Sequence, residues 1–419
     1  MRNKKAISVW VIVASIFTTC TFSCKKELEN SFVVKISADE LLLTLSGNSK
    51  DKNFREAFKV ANEMQRVSNE NYITIFSRAF NEVDSNANLA TIFSTVHLRN
   101  RISYNSTNEE VLSALKHELD DAIDKSINIL RSRIDRYGIR HQNIQRIENS
   151  ENILIELPAV KNIDRVKRLI ETRAKLEFWE TYKFSELYSY FEDANEVLCE
   201  MDIWEIAEEL KPAEQYVPDS ARAAFAKQYP LFAFLRPALT SDEAGKIYPK
   251  QSPVVGYATK KDTATVNYLL NKDQVTKKLP QDLRLYWGFK PISRDENMMP
   301  LLAIKVTSRD GSAPLDGLVI TDATVKGDQN DNIEINMSMN SEGAKIWQRI
   351  TANNIGRSIA ITLDDYVYSY PRVMSEIKEG QISITGQFTE EEAQNLVNIL
   401  RSGPLPLPVK IVEENIKKE

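Results

Sequence analysis

The residue types that most often carry chemistry are scarce in this sequence. Its 419 residues include three histidines, His97, His117 and His141. No pair of them stands at metal-ligand spacing, so exposed surface positions are expected and no metal is assigned. The chain has no Gly-x-Ser-x-Gly elbow, no phosphate-binding glycine loop and no Cys-x-x-Cys. Two polar constellations remain. Arg133, Asp135 and Arg136 crowd the end of an amphipathic segment. There they can fix a helix-to-strand turn by salt bridges and capping, or present a contact to a partner. Asp364 and Asp365 could hold a cation, but adjacent carboxylates between two alternating runs are also what a hairpin turn uses. No catalytic residue and no cofactor is assigned, and the chain reads as a non-enzyme.

The remaining reactive side chains are the thiols of Cys20, Cys24 and Cys199. Arg2, Lys4 and Lys5 precede an apolar run over 6–17, and small or polar residues lead to Ser23-Cys24. This is the layout of an export signal, with an apolar core short for a membrane-spanning helix. Ser23-Cys24 resembles the end of a lipoprotein signal, in which the cysteine is acylated and becomes the new N-terminus, although Thr21 stands where an aliphatic residue is usual. Several acyl chains on Cys24 would give stable anchoring where one chain would not. Plain secretory cleavage and an uncleaved anchor are the alternatives. The expected location is outside the cytoplasm, lipid-anchored to a bacterial membrane and facing the periplasm or the cell exterior. Removing the leader leaves Cys24 and Cys199, too few for a disulfide framework. The helical setting of 195–199 predicts a buried, structural Cys199.

The elements that must position these residues follow from periodicity. A formal net charge of −5, with 27% charged and 42% hydrophobic residues, fits a folded water-facing body and lacks the basic stripe of a nucleic-acid surface. After the leader, no apolar run reaches the ~18 residues that cross a bilayer. A strand is expected over 31–36, followed by polar helical segments to about 104. A long helix then starts at Ser106 or Thr107, with Glu109 or Glu110 completing a capping box. It carries Leu112, Leu115, Leu119, Ile123, Leu130 and Ile134 at helical spacing and ends at Gly138. Strands over 143–147 and 152–157 form a hairpin, Asn162 caps a helix, and 176–181 returns as a strand.

The order over 31–182 is strand, helix, strand, strand, helix, strand, that of a ferredoxin-like half-domain with a helical insertion at about 39–104. Residues 331–414 repeat it, with Thr389 and Glu392 forming a second capping box and a last strand near 409–412. Between them, 183–330 reads as an inserted α+β head, and 415–419 as a tail. The fold class is therefore α+β, two ferredoxin-like halves forming a base that carries a head. Aromatic residues of the head are mostly core material. Phe232, Phe234, Tyr257, Tyr286 and Trp287 are the ones that could instead line a groove for extended polypeptide, binding side chains while strand edges meet the client backbone.

Several stretches in succession resemble one family. Arg133-Ile134-Asp135-Arg136-Tyr137-Gly138, Asn143-Ile144-Gln145-Arg146, Ile155-Glu156-Leu157-Pro158-Ala159-Val160 and Ala174-Lys175-Leu176-Glu177-Phe178-Trp179 are similar to the first half of the extracytoplasmic domain of SecD. Thr351-Ala352-Asn353-Asn354-Ile355-Gly356, Ile359-Ala360-Ile361-Thr362-Leu363-Asp364, Ile384-Thr385-Gly386-Gln387-Phe388-Thr389 and Leu400-Arg401-Ser402-Gly403-Pro404-Leu405-Pro406 match its second half. The resemblance runs from about 53 to 414. It implies a SecD-like accessory of protein export that binds translocating or unfolded polypeptide, or components of the Sec translocase. The glycine-rich Asp motif of the family is absent around 29–32, and the sequence ends at Glu419, where SecD would enter its membrane bundle. The expectation is thus a tethered binding protein without proton-coupled transport of its own. The alternative is a cell-envelope lipoprotein that reuses the fold as an interaction module unrelated to export.

Overall fold

The computed structural model describes residues 30–416 apart from 69, 85, 149, 161, 202–224, 226, 293–296, 328–332 and 386–387. The leader with Cys20 and Cys24 and the tail from 417 lie outside the described residues.

Strand β1 (Asn30–Ile36) alternates buried and half-buried residues, placing Phe32, Val34 and Ile36 on one face. Helices α1 (Ala38–Leu45), α2 (Lys52–Gln65), α3 (Tyr72–Val83) and α4 (Ala90–Phe93) follow. Of these, α2 is polar on average as expected, whereas α1 and α3 are not, and together they turn an aromatic cluster inward. Phe54 meets Phe76 and Phe93 at centroid distances of 5.8 and 5.9 Å with steeply inclined planes, the geometry in which ring edges approach ring faces. Helix α5 (Asn108–Arg136) begins at the capping box of Thr107 and Glu110. Gly138, at φ +89°, takes the left-handed conformation that ends it. Strands β2 (Asn143–Arg146) and β3 (Asn152–Leu157) pair as a hairpin, and Asn162 caps α6 (Ile163–Glu171) by accepting from the Arg165 N–H.

The tip of this hairpin holds a buried carboxylate. Glu151 is 4% exposed and accepts a hydrogen bond of 2.6 Å from the N–H of Tyr72, the first residue of α3. Burial raises its pKa above the ordinary carboxylate value, against the Tyr72 N–H, Lys35 and Arg146, which lower it. The folded state therefore holds this proton more tightly than the unfolded chain. The stability it contributes is full below the unfolded carboxylate pKa and is lost as pH rises through the folded one. A Glu151→Gln variant keeps an acceptor for Tyr72 but cannot ionise. Urea titrations at pH 4 and pH 8 are expected to show the difference between the two proteins moving in favour of the variant as pH rises; an unchanged difference would contradict this assignment.

Strand β4 (Leu176–Thr181) does not close the first sheet. Its place beside β1 is taken by the last strand of the described chain, β17 (Val409–Ile416), with Asn30 opposite Ile416 and Ile36 opposite Val409. The first sheet thus has the order β17-β1-β3-β2. β4 pairs instead with β14 (Ile359–Leu363). The first half is closed by β17, while β4 enters a different sheet, for a physical reason. Leu176, Phe178 and Trp179 are buried on both faces of β4, which suits a strand in the middle of a covered sheet. β17 carries Lys410, Glu413 and Glu414 and is largely exposed, as an edge strand must be.

Between β4 and β17 the chain builds two further layers. Helix α7 (Phe184–Glu200) packs its Phe184, Leu187, Phe191, Ala194 and Leu198 stripe into the second core. Cys199 follows Leu198 by about 100° around the helix and is therefore exposed, not buried as expected, with its thiol near the Gln228 carbonyl. The short strands β5 (Arg236–Pro237), β6 (Leu239–Ser241) and β7 (Ile247–Pro249) lead to β8 (Val254–Thr259), helices α8 (Thr263–Leu270) and α9 (Asp273–Thr276), β9 (Leu283–Trp287) and β10 (Met298–Lys305). Then come β11 (Leu315–Asp316), β12 (Ile320–Gly327), β13 (Ile333–Met339), α10 (Ser341–Asn353), β14, β15 (Tyr366–Ser369), β16 (Gln381–Thr385) and α11 (Glu390–Ser402).

The large sheet follows the path β15-β14-β4-β10-β8-β5, with β9 added to β10 and β11 to β4. β12, β13 and β16 make a separate antiparallel sheet whose apolar face, with Ala323, Ile335, Met337, Ile382 and Ile384, packs in a third core with Trp347, Ala393 and Leu396 of α10 and α11. The result is a mixed α+β molecule of antiparallel sheets. No helix among the described residues is long and apolar enough to cross a membrane.

Candidate functional site

The first polar constellation separates in space. Arg133 points into the molecule and is 1% exposed. Its guanidinium donates to the Leu169, Thr172, Arg173 and Gly403 carbonyls, the last two at 3.2 and 3.1 Å. Burial pushes its pKa down to about 10, with Asp364 acting in the opposite sense, so it stays charged at neutral pH. Those four carbonyls lie at the two places where the chain crosses between layers, after α6 and after α11. The crossings also bond to each other, the Leu405 N–H donating to the Arg173 carbonyl at 2.8 Å. Asp135 and Arg136 face outward. Asp135 accepts from the Gln142 amide at 2.5 Å, and Arg136 reaches the Ser132 hydroxyl. The three residues share a helix end but form no common site.

Asp364 and Asp365 both adopt positive φ, 50° and 66°, as the two-residue turn between β14 and β15 requires. Asp364 has a second task that spacing alone did not reveal. Its carboxylate accepts from the N–H groups of Ala174 and Lys175 at 3.1 and 2.8 Å, tying the hairpin tip to the entry of β4. His117 is exposed beside Asp121, and no group of three His, Cys, Asp or Glu among the described residues could hold a metal ion.

The aromatic residues named for a groove pack against the second core. Phe232, Phe234, Tyr257 and Tyr286 are half-buried and Trp287 is buried, its indole N–H donating to Asn267 at 2.9 Å. Burial pushes the Tyr286 phenol up to about 12. An open aromatic surface forms two residues further on. Phe289 stacks on Tyr368 at 4.1 Å with planes 14° apart, and Tyr368 lies parallel to Phe388 at 6.4 Å. The three rings come from the end of β9, the middle of β15 and the entry to α11.

The backbone explains why they meet. Gly288 bridges to Val367, and the Phe289 N–H donates to the Val367 carbonyl at 2.9 Å, drawing β9 against β15. A side chain at Gly288 would meet the Pro300 ring at 2.7 Å, so only glycine permits that approach. At the inner end, Lys290 lies over the Phe388 ring at 5.5 Å and pairs with Glu392 at 2.7 Å. Glu392 also accepts from the Thr389 N–H in the capping box of α11. Burial alone would raise its carboxyl, but Lys290 and Thr389 outweigh it and hold the pKa below the ordinary value. Burial, with Asp364 and Glu392 nearby, raises the Tyr368 phenol and keeps it neutral. The outer end is open: Phe289 is 41% exposed, Ile292 42% and Tyr366, on the same face of β15 as Tyr368, 50%. Flat rings and an exposed rim, with Lys290 and Glu392 paired at the inner end, suit apolar side chains better than ions.

Comparison with known proteins agrees with the sequence resemblance. The family described as "Protein translocase subunit SecDF, P1 domain, N-terminal" matches residues 123–183. The one described as "SecDF, P1 head subdomain" matches 303–407, which includes Tyr368, Phe388, Asp364 and Gly403. The chain is 34% identical over 91% of its length to protein translocase subunit SecD of Rhodothermus marinus, of which it spans 60%. It is 26% identical over 71% of its length to SecD of Calditerrivibrio nitroreducens, spanning 41% of that protein. SecD of Leptotrichia buccalis is 42% identical over 115 residues, covering 27% of this chain and 28% of that protein. Two solved SecDF structures are similar at TM-scores of 0.37 and 0.38, with 24% and 22% identity, over 70% of this chain and 92% and 28% of theirs. The chain thus carries matches to two SecDF P1 families and is similar to protein translocase subunit SecD along nine-tenths of its length.

Proposed function

We propose that this protein is a SecD-like accessory of protein export whose extracytoplasmic body holds apolar stretches of unfolded or translocating polypeptide. The observation that carries the reading is the open aromatic stack of Phe289, Tyr368 and Phe388. Stacked rings with an exposed rim accept many apolar side chains without demanding one sequence, as a site serving varied clients must. The relatives, named as protein translocase subunits, support the setting.

The test places a photo-crosslinking residue at Tyr366, on the rim, in cells making an exported reporter. The reporter precursor or a Sec component is the expected adduct. Recovery of neither, together with unchanged export on deletion of the gene, would favour an envelope interaction module unrelated to export.

We also propose that the body is held at a bacterial membrane through acylated Cys24. Mass spectrometry of the mature protein is expected to find an N-terminus at Cys24 carrying acyl chains; an unmodified Cys24 or an intact Met1 rejects the lipid anchor without touching the binding reading.

A further inference from the structure

β12 ends the order β12-β13-β16, and its outer side is an open edge. The strand is eight residues long and mostly exposed. Among the described residues, the Ile320 N–H donates to the Gly317 carbonyl in the turn before the strand, and no backbone group of 321–327 bonds to anything beyond its partner β13. Long open edges are usually shortened, covered or charged. Here two charges are present, and one is already used, since Asp322 pairs with Arg401 of α11 at 2.9 Å.

A cavity of about 310 Å³ opens at the start of this edge. It is lined by Ile320, Thr321, Asp322 and Ala323 from the strand, by Leu400 and Arg401 from α11, and by Arg136 from the end of α5. The Asp322–Arg401 pair is internally neutral. Arg136 touches only the Ser132 hydroxyl and has no carboxylate partner among the described residues, so the cavity presents one uncompensated guanidinium. A guanidinium fork is matched best by a carboxylate.

We propose that β12 accepts an extended peptide segment as an added antiparallel strand, with a carboxylate at the downstream end of that segment seated in the cavity against Arg136. Antiparallel addition fixes the polarity. A strand running from the Gly327 end toward Ile320 brings its later residues to the cavity. Main-chain hydrogen bonds would supply sequence-tolerant affinity, and Arg136 would favour segments with an acidic side chain or a free C-terminus at that point. The inference rests on the reading of the chain as a polypeptide binder but uses a different surface from the aromatic stack.

The test uses fluorescence anisotropy with the full chain and an eight-residue Thr/Val-rich peptide, labelled at its N-terminus and ending in Asp. Expected results are at least tenfold weaker binding for Arg136→Gln, and a similar loss when the peptide is N-methylated at alternate backbone positions. Asp→Asn substitution and C-terminal amidation of the peptide, made separately, show which carboxylate is seated. Binding indifferent to both Arg136→Gln and N-methylation overturns the proposal, as does a dimer through β12 that excludes the peptide. If an unfolded apolar polypeptide still binds in either case, the export reading survives alone; if neither ligand binds, both fall.

Discussion

Replacing Arg133 with methionine is expected to cost about 3–5 kcal/mol of stability, the range seen when a buried charged group is removed from its partners. Methionine fills much of the volume but donates nothing. It would strand the carbonyls of Leu169, Thr172 and Gly403 and leave that of Arg173 with the Leu405 N–H alone, where all four now share one guanidinium. Each buried acceptor left unpaired costs about 1–3 kcal/mol, partly recovered if water enters. Arg133→Lys should fall between the two, because an ammonium keeps the charge but cannot span four acceptors from one plane. Chemical denaturation followed by circular dichroism measures the loss. Amide exchange at Leu405, whose N–H bonds to the Arg173 carbonyl, should rise in both variants. Wild-type stability in Arg133→Met would mean that the crossings hold each other without the arginine.

Phe289→Ala should leave stability nearly unchanged and weaken capture of unfolded polypeptide by about tenfold, the effect of removing one central aromatic from a binding surface. The ring is 41% exposed, so little core is lost, whereas its partner Tyr368 loses the face that stacks at 4.1 Å. Anisotropy with a permanently unfolded, carboxymethylated polypeptide provides the measurement. Phe225→Ala serves as control, since Phe225 is also exposed but its ring meets the tilted ring of Tyr229 and is not part of the stack. Equal losses in the two variants would point to general surface stickiness and remove the stack from the mechanism.

Features that depend on a few consecutive residues were legible in the sequence. The capping boxes at Thr107 and Thr389, the Asn162 cap and the glycine stop at 138 stand where local spacing put them. So does the Asp364-Asp365 turn. Partner choice among strands was not legible, because β4 and β17 both follow a helix and both can close a sheet. What separates them is how many of their faces are buried, and that is settled by layers formed elsewhere in the chain. The site was obscured for the same reason. Arg133, Asp135 and Arg136 are neighbours in sequence, yet one turns inward to carbonyls up to 270 residues away. Phe289, Tyr368 and Phe388 lie on three segments that nothing local connects. The run through Trp287 lies just before Phe289, but only the Gly288 bridge, a non-local pairing, decides which rings reach the surface.

The pairing of Asn30 with Ile416 also sets an order of events in time. During synthesis from the N-terminus, β1 emerges long before β17, its second neighbour, which follows every other strand and helix described. Until then, one side of β1 offers unpaired N–H and C=O groups to any strand nearby. Contacts so distant in sequence slow folding and lengthen the window for mispairing. Completion of the first sheet is thus deferred to the last of the described strands, and β1 spends the interval in that exposed condition.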